Sequence, residues 1–291
     1  EEVMNVRQLV RESNFLPMLV SVALLHAVTW YTGAGNNPWI LLIGLAVGMP
    51  HGATDLLGET TRWNLKAALF YGAGISVLLL FWLTWPGWTL GLFLVVSIVH
   101  FGTEDALSRQ WSWLHVHESA VRGSLVVLLP SLFYREEVLE LFYMVSGTDW
   151  SAILAPNVIN WGLNLWFIGL FSLFGHAATH WPSWERVLQT FLELGLLVIV
   201  FRILHPLEAF VVYFVAGHSL RTAFKLRQVL TANWLPVVSL TLATFGAAAL
   251  YHIWLPGQIE LDAKMIRTAF VALSLFAIPH ALWRTWMIFK R

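Results

Sequence analysis

The chain is organised by long apolar runs that are separated by short polar connections. A helix needs about 20 apolar residues to cross roughly 30 Å of hydrocarbon, and about ten runs approach this length. Turn-forming residues stand between several of them, as in Trp85-Pro86-Gly87 and Pro256-Gly257. The runs cover residues 14–32, 38–57, 65–84, 87–107, 114–134, 157–179, 185–204, 206–226, 232–252 and 265–287. The pattern predicts an all-α, polytopic transmembrane bundle of about eight to ten helices, with residues 1–291 forming a single domain.

The distribution of basic residues predicts the orientation of this bundle. If the N-terminus is cytoplasmic, Arg135, Arg202, Lys264 and Arg267 fall on the outer side, and Arg122 falls inside the fifth run. The remaining 12 of the 17 Lys and Arg residues fall on the cytoplasmic side. Because cytoplasmic loops are enriched in Lys and Arg, both termini are predicted to be cytoplasmic. The amphipathic segment from Glu136 to Ser146 is predicted to lie at the membrane interface.

Composition supports this class and excludes others. The chain is 58% apolar and only 12% charged, whereas soluble domains are about 25% charged. Its 17 basic and 17 acidic residues cancel, so no net charge attracts nucleic acid. The chain has no cysteine, so any metal must be held by nitrogen and oxygen ligands.

Four histidines share one predicted depth in the membrane. His51, His100, His218 and His280 lie on runs that all cross from outside to inside, each about 20 Å along its helix. Ionisable groups inside a membrane normally face the bundle interior and mark a function. Imidazoles from separate helices at one level are suited to bind iron, zinc or copper. The pattern therefore predicts a metal site, although a single membrane histidine is more often an interhelical hydrogen-bond partner.

Several neighbouring side chains are candidates for supporting roles. Asp55 follows His51 by four residues and Glu104 follows His100 by four, so each carboxylate is predicted to orient a ligating imidazole. These carboxylates, with Asp105, have a second interpretation as interfacial charges. His176 and His180 stand one helical turn apart and could supply a further ligand. The other five histidines are interpreted as structural: His26, His115, His117, His205 and His252.

Four short motifs carry a resemblance to a known family. They are Gly48-Met-Pro-His-Gly-Ala-Thr-Asp55, Val99-His-Phe-Gly-Thr-Glu-Asp105, Gly217-His-Ser-Leu-Arg221 and Ile278-Pro-His-Ala281. In order and spacing they resemble the Brp/Blh family of membrane-bound beta-carotene 15,15'-dioxygenases. The resemblance runs from about His51 to His280. It implies a multi-pass protein of the prokaryotic inner (plasma) membrane that uses non-haem Fe(II) and O2 to cleave a carotenoid to retinal.

The resemblance implies that His51, His100 and His218 bind the iron. It is broken at Thr222, where the family has a further ligating histidine, and a hydroxyl is a weak replacement for an imidazole. Three alternatives follow. Three histidines are enough to hold the iron, or a fourth ligand comes from His280 or from the His176/His180 pair, or the protein has lost the family's chemistry. Thr222 is predicted to affect reactivity more than folding.

Two other classes of function stay open. A lipid desaturase or hydroxylase would hold two irons with about eight histidines, but only His176 and His180 have the expected spacing. A non-catalytic protein could instead bind a carotenoid, retinal or haem, or conduct protons. Metal analysis would separate the three classes. The expected partners are a carotenoid, O2 and membrane lipid, and the sequence leaves the oligomeric state open.

Overall fold

The protein is helical throughout the part of the chain that its structure, a computed structural model, describes. The described residues are 15–32, 37–56, 64–108, 112–180, 184–220, 234–255 and 259–289, and they contain no β-strand. The α-helices are α1 (Phe15–Thr32), α2 (Pro38–Gly48), α3 (Leu65–Thr84), α4 (Pro86–Asp105), α5 (Trp113–Phe133), α6 (Arg135–Ser146), α7 (Pro156–His180), α8 (Trp184–Ile203), α9 (Pro206–Val212), α10 (Trp234–Trp254) and α11 (Leu261–Phe289). The predicted all-α class is confirmed, and every predicted run overlaps a helix.

Proline places several helix starts. Pro38, Pro86, Pro156 and Pro206 are each the first residue of a helix, where the absent N–H would have no intrahelical partner and φ is already set. Within the second run, Pro50 has the opposite effect, because it cannot continue an α-helical hydrogen-bond ladder. The run therefore ends as an α-helix at Gly48 and continues as a 3-10 helix, Met49–Leu56, that carries His51.

Five helices are long and apolar enough to cross a membrane. These segments are Leu65–Thr84, Pro86–Asp105, Pro156–Thr179, Val237–Trp254 and Leu261–Trp286. The predicted run at α5 falls outside this set, and it contains the charged residues Glu118 and Arg122. The structure therefore supports an integral membrane protein at this coarser level. The number of crossings and the cytoplasmic placement of both termini stay predictions.

The crossing candidates differ in how much of them is buried. In α11, 78% of the apolar window is buried, whereas in α7 the figure is 11%. An apolar helix that is buried on most sides is a core helix, and one that exposes its apolar side chains is suited to face lipid. The structure thus supplies both a core helix and a candidate lipid-facing helix.

The chain divides into two compact units. The first unit contains Glu1–Asn37, Ile98–Leu139 and Ser151–His218, and the second contains Pro38–Ser97, Glu140–Trp150 and Ser219–Arg291. The prediction that residues 1–291 form one domain stays a prediction.

In the first unit, two glycines bring α4 and α5 into backbone contact. A Cβ built on Gly102 would overlap the carbonyl oxygen of Ser119. A Cβ built on Gly123 would also overlap the carbonyl oxygen of Ile98. Small residues at such a crossing let two membrane helices approach closely. This contact holds the C-terminal part of α4, which carries His100.

In the second unit, α3 and α11 are joined by buried polar contacts and by close packing. Trp82 Nε1–H donates to Ser274 Oγ at 2.6 Å. Near the middle of α3, a Cβ built on Gly74 would lie 2.9 Å from Pro279 Cγ. Pro279 precedes His280, so this packing fixes the part of α11 that carries a predicted site residue.

Candidate metal centre

The predicted site histidines are divided between the two units. His100 and His218 belong to the first unit, and His51 and His280 belong to the second. His100, His218 and His280 are buried, whereas the side chain of His51 is outside the described set. Thr222 lies in the segment 221–233, outside the described residues.

In the first unit, the end of α4 and an irregular helix bring two histidines together. His100 lies in the last turns of α4, and His218 lies in a π-helix, Tyr213–Ser219, that continues α9. The ring centroids of His100 and His218 are 5.3 Å apart. The structure therefore places two of the three histidines implied by the family resemblance next to each other.

A carboxylate and a phenol complete this arrangement. His218 Nδ1–H donates to Asp105 Oδ1 at 2.9 Å, and Tyr213 O–H donates to the other oxygen, Oδ2, at 2.6 Å. All three side chains are buried. We call His218, Asp105 and Tyr213 the first triad. Because an ionised carboxylate can only accept, this contact assigns the proton to Nδ1 of His218 and leaves Nε2 as the nitrogen that a metal would take.

Aromatic rings surround the imidazole of the first triad. Phe101 packs edge-on against His218 with centroids 4.8 Å apart, and it also contacts the ring of Tyr213. Phe214 stacks on His218 at 6.4 Å. This apolar surrounding lowers the local dielectric and strengthens the hydrogen bonds to Asp105.

The second unit contains a matching set of groups. His280 Nδ1–H donates to Asp55 Oδ2 at 2.8 Å, and Tyr71 O–H donates to the same oxygen at 2.7 Å. The Tyr71 oxygen also lies 3.3 Å from His280 Nδ1. We call His280, Asp55 and Tyr71 the second triad. As in the first triad, a phenylalanine four residues before the histidine, Phe276, stacks on its ring.

The predicted carboxylates have partners that the sequence does not indicate. Asp55 was expected to support His51, but its described histidine partner is His280 on α11. Glu104 is half-buried on α4, and the neighbouring Asp105 is the carboxylate that contacts His218. The roles of Asp55 and Glu104 in catalysis stay predictions.

Sequence reasoning missed Asp105, Tyr213 and Tyr71 as site residues. A search for a buried carboxylate and a phenol near each motif would have found the residue types. It would not have found the pairs, because 113 residues separate Asp105 from His218.

A largely buried ion network contacts the chain next to the first triad. Arg122 bonds to Glu118 and to Glu193, each at 2.8 Å. Glu118 in turn accepts hydrogen bonds from the backbone N–H groups of Leu107 and Ser108. Because these two residues follow α4 directly, Glu118 holds the chain just beyond Asp105. Arg122, predicted to lie inside a span, is thus paired with carboxylates as buried membrane charges normally are.

Other histidines make local contacts. His205 Nδ1 lies 2.9 Å from Glu137 Oε2, His252 Nδ1 lies 2.8 Å from Thr268 Oγ1, and the His115 ring contacts the carbonyl of Ser108. These three contacts fit the structural interpretation. His26 is exposed and His117 is half-buried. His176 is half-buried on α7, and His180 ends that helix.

The donor chemistry of the first triad fits a metal ligand. A ligating histidine usually donates its second ring N–H to a carboxylate or carbonyl, and His218 and Asp105 have this arrangement. Among the described side chains, no three His, Asp or Glu residues form a metal-binding group. The side chains of His51 and His180 lie outside that set. Within it, the imidazoles of His100 and His218 are adjacent, and His218 is hydrogen-bonded to Asp105.

Known proteins resemble this chain over most of its length. The model of the family described as "Beta-carotene 15,15'-dioxygenase" matches residues 42–288. A beta-carotene 15,15'-dioxygenase of uncultured marine bacterium 66A03 is 26% identical over 264 residues, which cover 83% of this chain and 90% of the relative. No solved structure matches the chain. The matched region contains all four predicted site histidines and both triads.

Proposed function

The chain belongs to the beta-carotene 15,15'-dioxygenase family, and we propose that it is a membrane enzyme that cleaves a carotenoid with O2 and ferrous iron. In this reaction the central carbon–carbon double bond breaks and each new end receives one oxygen atom, so that beta-carotene and O2 give two molecules of retinal. All atoms of both substrates are recovered in the products. No external reductant is required.

The observation that carries the proposal is the pair His100 and His218, with Asp105 behind His218. Neutral imidazoles are good ligands for iron, and an iron held by three or four of them keeps positions open for O2 and substrate. When bound, the iron would supply the activation of oxygen. The protein's own contribution is to hold the imidazoles in one tautomer, to exclude water through rings such as Phe101, and to orient the polyene.

We further propose that His51 and His280 are iron ligands, as are His100 and His218. For His51, support comes from the motif around residues 48–55, and for His280 from its contact with Asp55. Thr222 occupies the position of a family histidine, so His280 is the proposed replacement. Asp55 and Glu104 are proposed to tune the ligands, and Thr222 to affect the reactivity of the centre.

The proposed location is the inner (plasma) membrane of a prokaryote, with about ten crossings and both termini in the cytoplasm. Support comes from the five apolar helices and from the distribution of Lys and Arg. A carotenoid is an apolar rod that partitions into hydrocarbon. It can therefore reach a site inside a membrane protein without crossing water.

The test is expression in a bacterium that accumulates beta-carotene, followed by extraction and chromatography. The wild-type protein should bleach the cells and release retinal. His218→Ala should release none, whereas His205→Ala, which removes an imidazole bonded to Glu137 on another part of the first unit, should behave as wild type. Thr222→His should fold and retain cleavage.

The departure at Thr222 makes a non-catalytic carotenoid-binding protein the second candidate. If the family chemistry was lost with that histidine, only Thr222→His would release retinal. If iron is bound but neither protein yields retinal or a shorter fragment, the dioxygenase proposal is wrong and the binding function is favoured. About two irons per chain would favour a desaturase-like centre instead.

A further inference from the structure

We propose that Tyr213 is a positioning residue of the iron centre. The π-helix of residues 213–219 brings Tyr213 and His218 toward one face, so that both reach Asp105. This inference rests on the proposed function, since it concerns how His218 is presented to iron. Tyr213 does not need to touch iron or substrate. It acts through Asp105.

The geometry of the first triad defines the role. Asp105 uses one oxygen for His218 Nδ1–H and the other for the Tyr213 phenol. A carboxylate that is held at both oxygens cannot rotate about its terminal bond without breaking one of these hydrogen bonds. Tyr213 therefore fixes the direction of Oδ1, which in turn fixes the proton of His218 on Nδ1. The imidazole is then set to use Nε2 as its metal ligand.

The helix type explains how two residues of one segment reach the same carboxylate. Tyr213 and His218 are five residues apart, and in an α-helix this spacing leaves the side chains about 140° apart around the axis. The wider π-helix, with hydrogen bonds between residues i and i+5, brings such residues toward one face. Residues 213–219 form this π-helix. The rare helix type thus coincides with the two residues that share Asp105.

The surrounding contacts keep Tyr213 in place. The ring of Phe101 packs edge-on against Tyr213 with centroids 5.3 Å apart. Gly217 lies beside the same ring, since a Cβ built on it would be 3.2 Å from Tyr213 Cδ2. Tyr213 and His218 are both buried. A buried phenol that is packed on two sides loses little further freedom when it donates to Asp105.

The test compares Tyr213→Phe with Tyr134→Phe. Both substitutions remove one phenolic O–H, but Tyr134 donates to the backbone carbonyl of Arg202 and does not contact the triad. Anaerobic Fe(II) titration of the purified proteins in detergent should show about 10-fold weaker binding for Tyr213→Phe. Tyr134→Phe should match the wild type. Circular dichroism should show that both variants are folded, with a lower melting temperature only for Tyr213→Phe, which loses a buried hydrogen bond to a carboxylate.

A double-mutant cycle separates positioning from general packing. If Tyr213 acts through Asp105, then adding Tyr213→Phe to Asp105→Asn should weaken Fe(II) binding no further. Additive losses would overturn the proposal, because they would show an effect that bypasses Asp105.

A readout without iron keeps this inference distinct from the proposed function. In ¹⁵N-histidine NMR spectra of the metal-free protein, the His218 signals, assigned by their loss in His218→Ala, should show the Nδ1–H tautomer. Tyr213→Phe should shift part of the population to the Nε2–H tautomer. An unchanged tautomer together with unchanged Fe(II) affinity would overturn the inference. A wild-type protein that binds no iron but shows the tautomer shift would instead contradict only the proposed function.

Discussion

The two units of this protein build the same three groups in different ways. In the first triad, Tyr213 and His218 come from one π-helix and use separate oxygens of Asp105. In the second triad, Tyr71 and His280 come from two helices, α3 and α11, and both donate to one oxygen of Asp55. The first arrangement holds the carboxylate at two points and the second at one. The first should therefore define the orientation of its histidine more strictly.

The residues that pack beside the two triads differ as well. Next to the first triad, Arg122 pairs with the buried Glu118 and the partly buried Glu193, and Glu118 bonds to the backbone just after Asp105. The second triad is held by apolar packing, including the stacking of Phe276 on His280. Removing one member of a buried ion network strongly destabilises the fold, because the remaining charges are left without a partner. Loss of one residue that packs beside a triad should therefore disturb the first triad more than the second.

The largest effect is expected from breaking this network with Arg122→Met. The substitution leaves the buried Glu118 and the partly buried Glu193 without their shared cation, and it should destabilise the fold by about 3–5 kcal/mol. Thermal melting in detergent measures the loss. Arg202→Met is the matched control, since Arg202 is an exposed residue that lies over the ring of Phe133. Equal melting temperatures for the two variants would show that the network does not stabilise the first unit.

Next in size are the carboxylate substitutions Asp105→Asn and Asp55→Asn. Each replaces the group that orients a proposed iron ligand, and such changes lower metal affinity by about 10- to 100-fold. Anaerobic Fe(II) titration is the measurement, with melting temperature as a check on folding. Wild-type affinity in Asp55→Asn alone would remove His280 from the ligand set and leave Asp105 as the relevant carboxylate.

The sequence was sufficient for the fold class because apolar periodicity and length determine membrane helices directly. It also found the four motif histidines, of which His100 and His218 are adjacent in the first unit. The helix breaks at Pro50 and Tyr213 were not predicted. Pro50 is visible in the sequence, but the π-helix coincides with a shared contact to Asp105 that is seen only in the tertiary structure.

The partners of the carboxylates were beyond sequence reasoning for a physical reason. A spacing of four residues correctly places Glu104 on the same helix face as His100. Asp105, one residue later, points to a different neighbour, and the identity of that neighbour depends on how helices pack. The same holds for Asp55, whose described histidine partner, His280, is 225 residues away.

A smaller effect is expected from adding one methyl group beside each triad. A Cβ on Gly52 would lie 2.6 Å from Phe276 Cε1 and 3.1 Å from His280 Nδ1, so Gly52→Ala must displace a stiff ring. We expect a loss of about 1–3 kcal/mol in stability. Gly217→Ala meets Tyr213 Cδ2 at 3.2 Å and the flexible Met18 Sδ at 3.3 Å, and should cost less.

Gly72→Ala is the control for these two glycine substitutions. A Cβ on Gly72 has no neighbour within 4 Å, so Gly72→Ala should melt at or slightly above the wild-type temperature. A lower melting temperature for Gly217→Ala than for Gly52→Ala would reverse the expected order and contradict the packing described for the triads.

The smallest effect is expected from Tyr71→Phe. Because His280 donates to the same oxygen of Asp55 that Tyr71 uses, that oxygen retains a donor after the phenol is lost. Fe(II) affinity should fall by only about 2- to 3-fold, less than for Tyr213→Phe. A larger loss for Tyr71→Phe than for Tyr213→Phe would show that the second triad is the more sensitive of the two.

The most direct test of the account is the iron content of purified wild-type protein, His218→Ala and His205→Ala after anaerobic reconstitution with Fe(II). Inductively coupled plasma mass spectrometry gives the iron-to-protein ratio, and circular dichroism confirms that each protein is folded. We expect about one iron per chain for the wild type and for His205→Ala, and close to none for His218→Ala. Iron retained by folded His218→Ala at the wild-type level would contradict it.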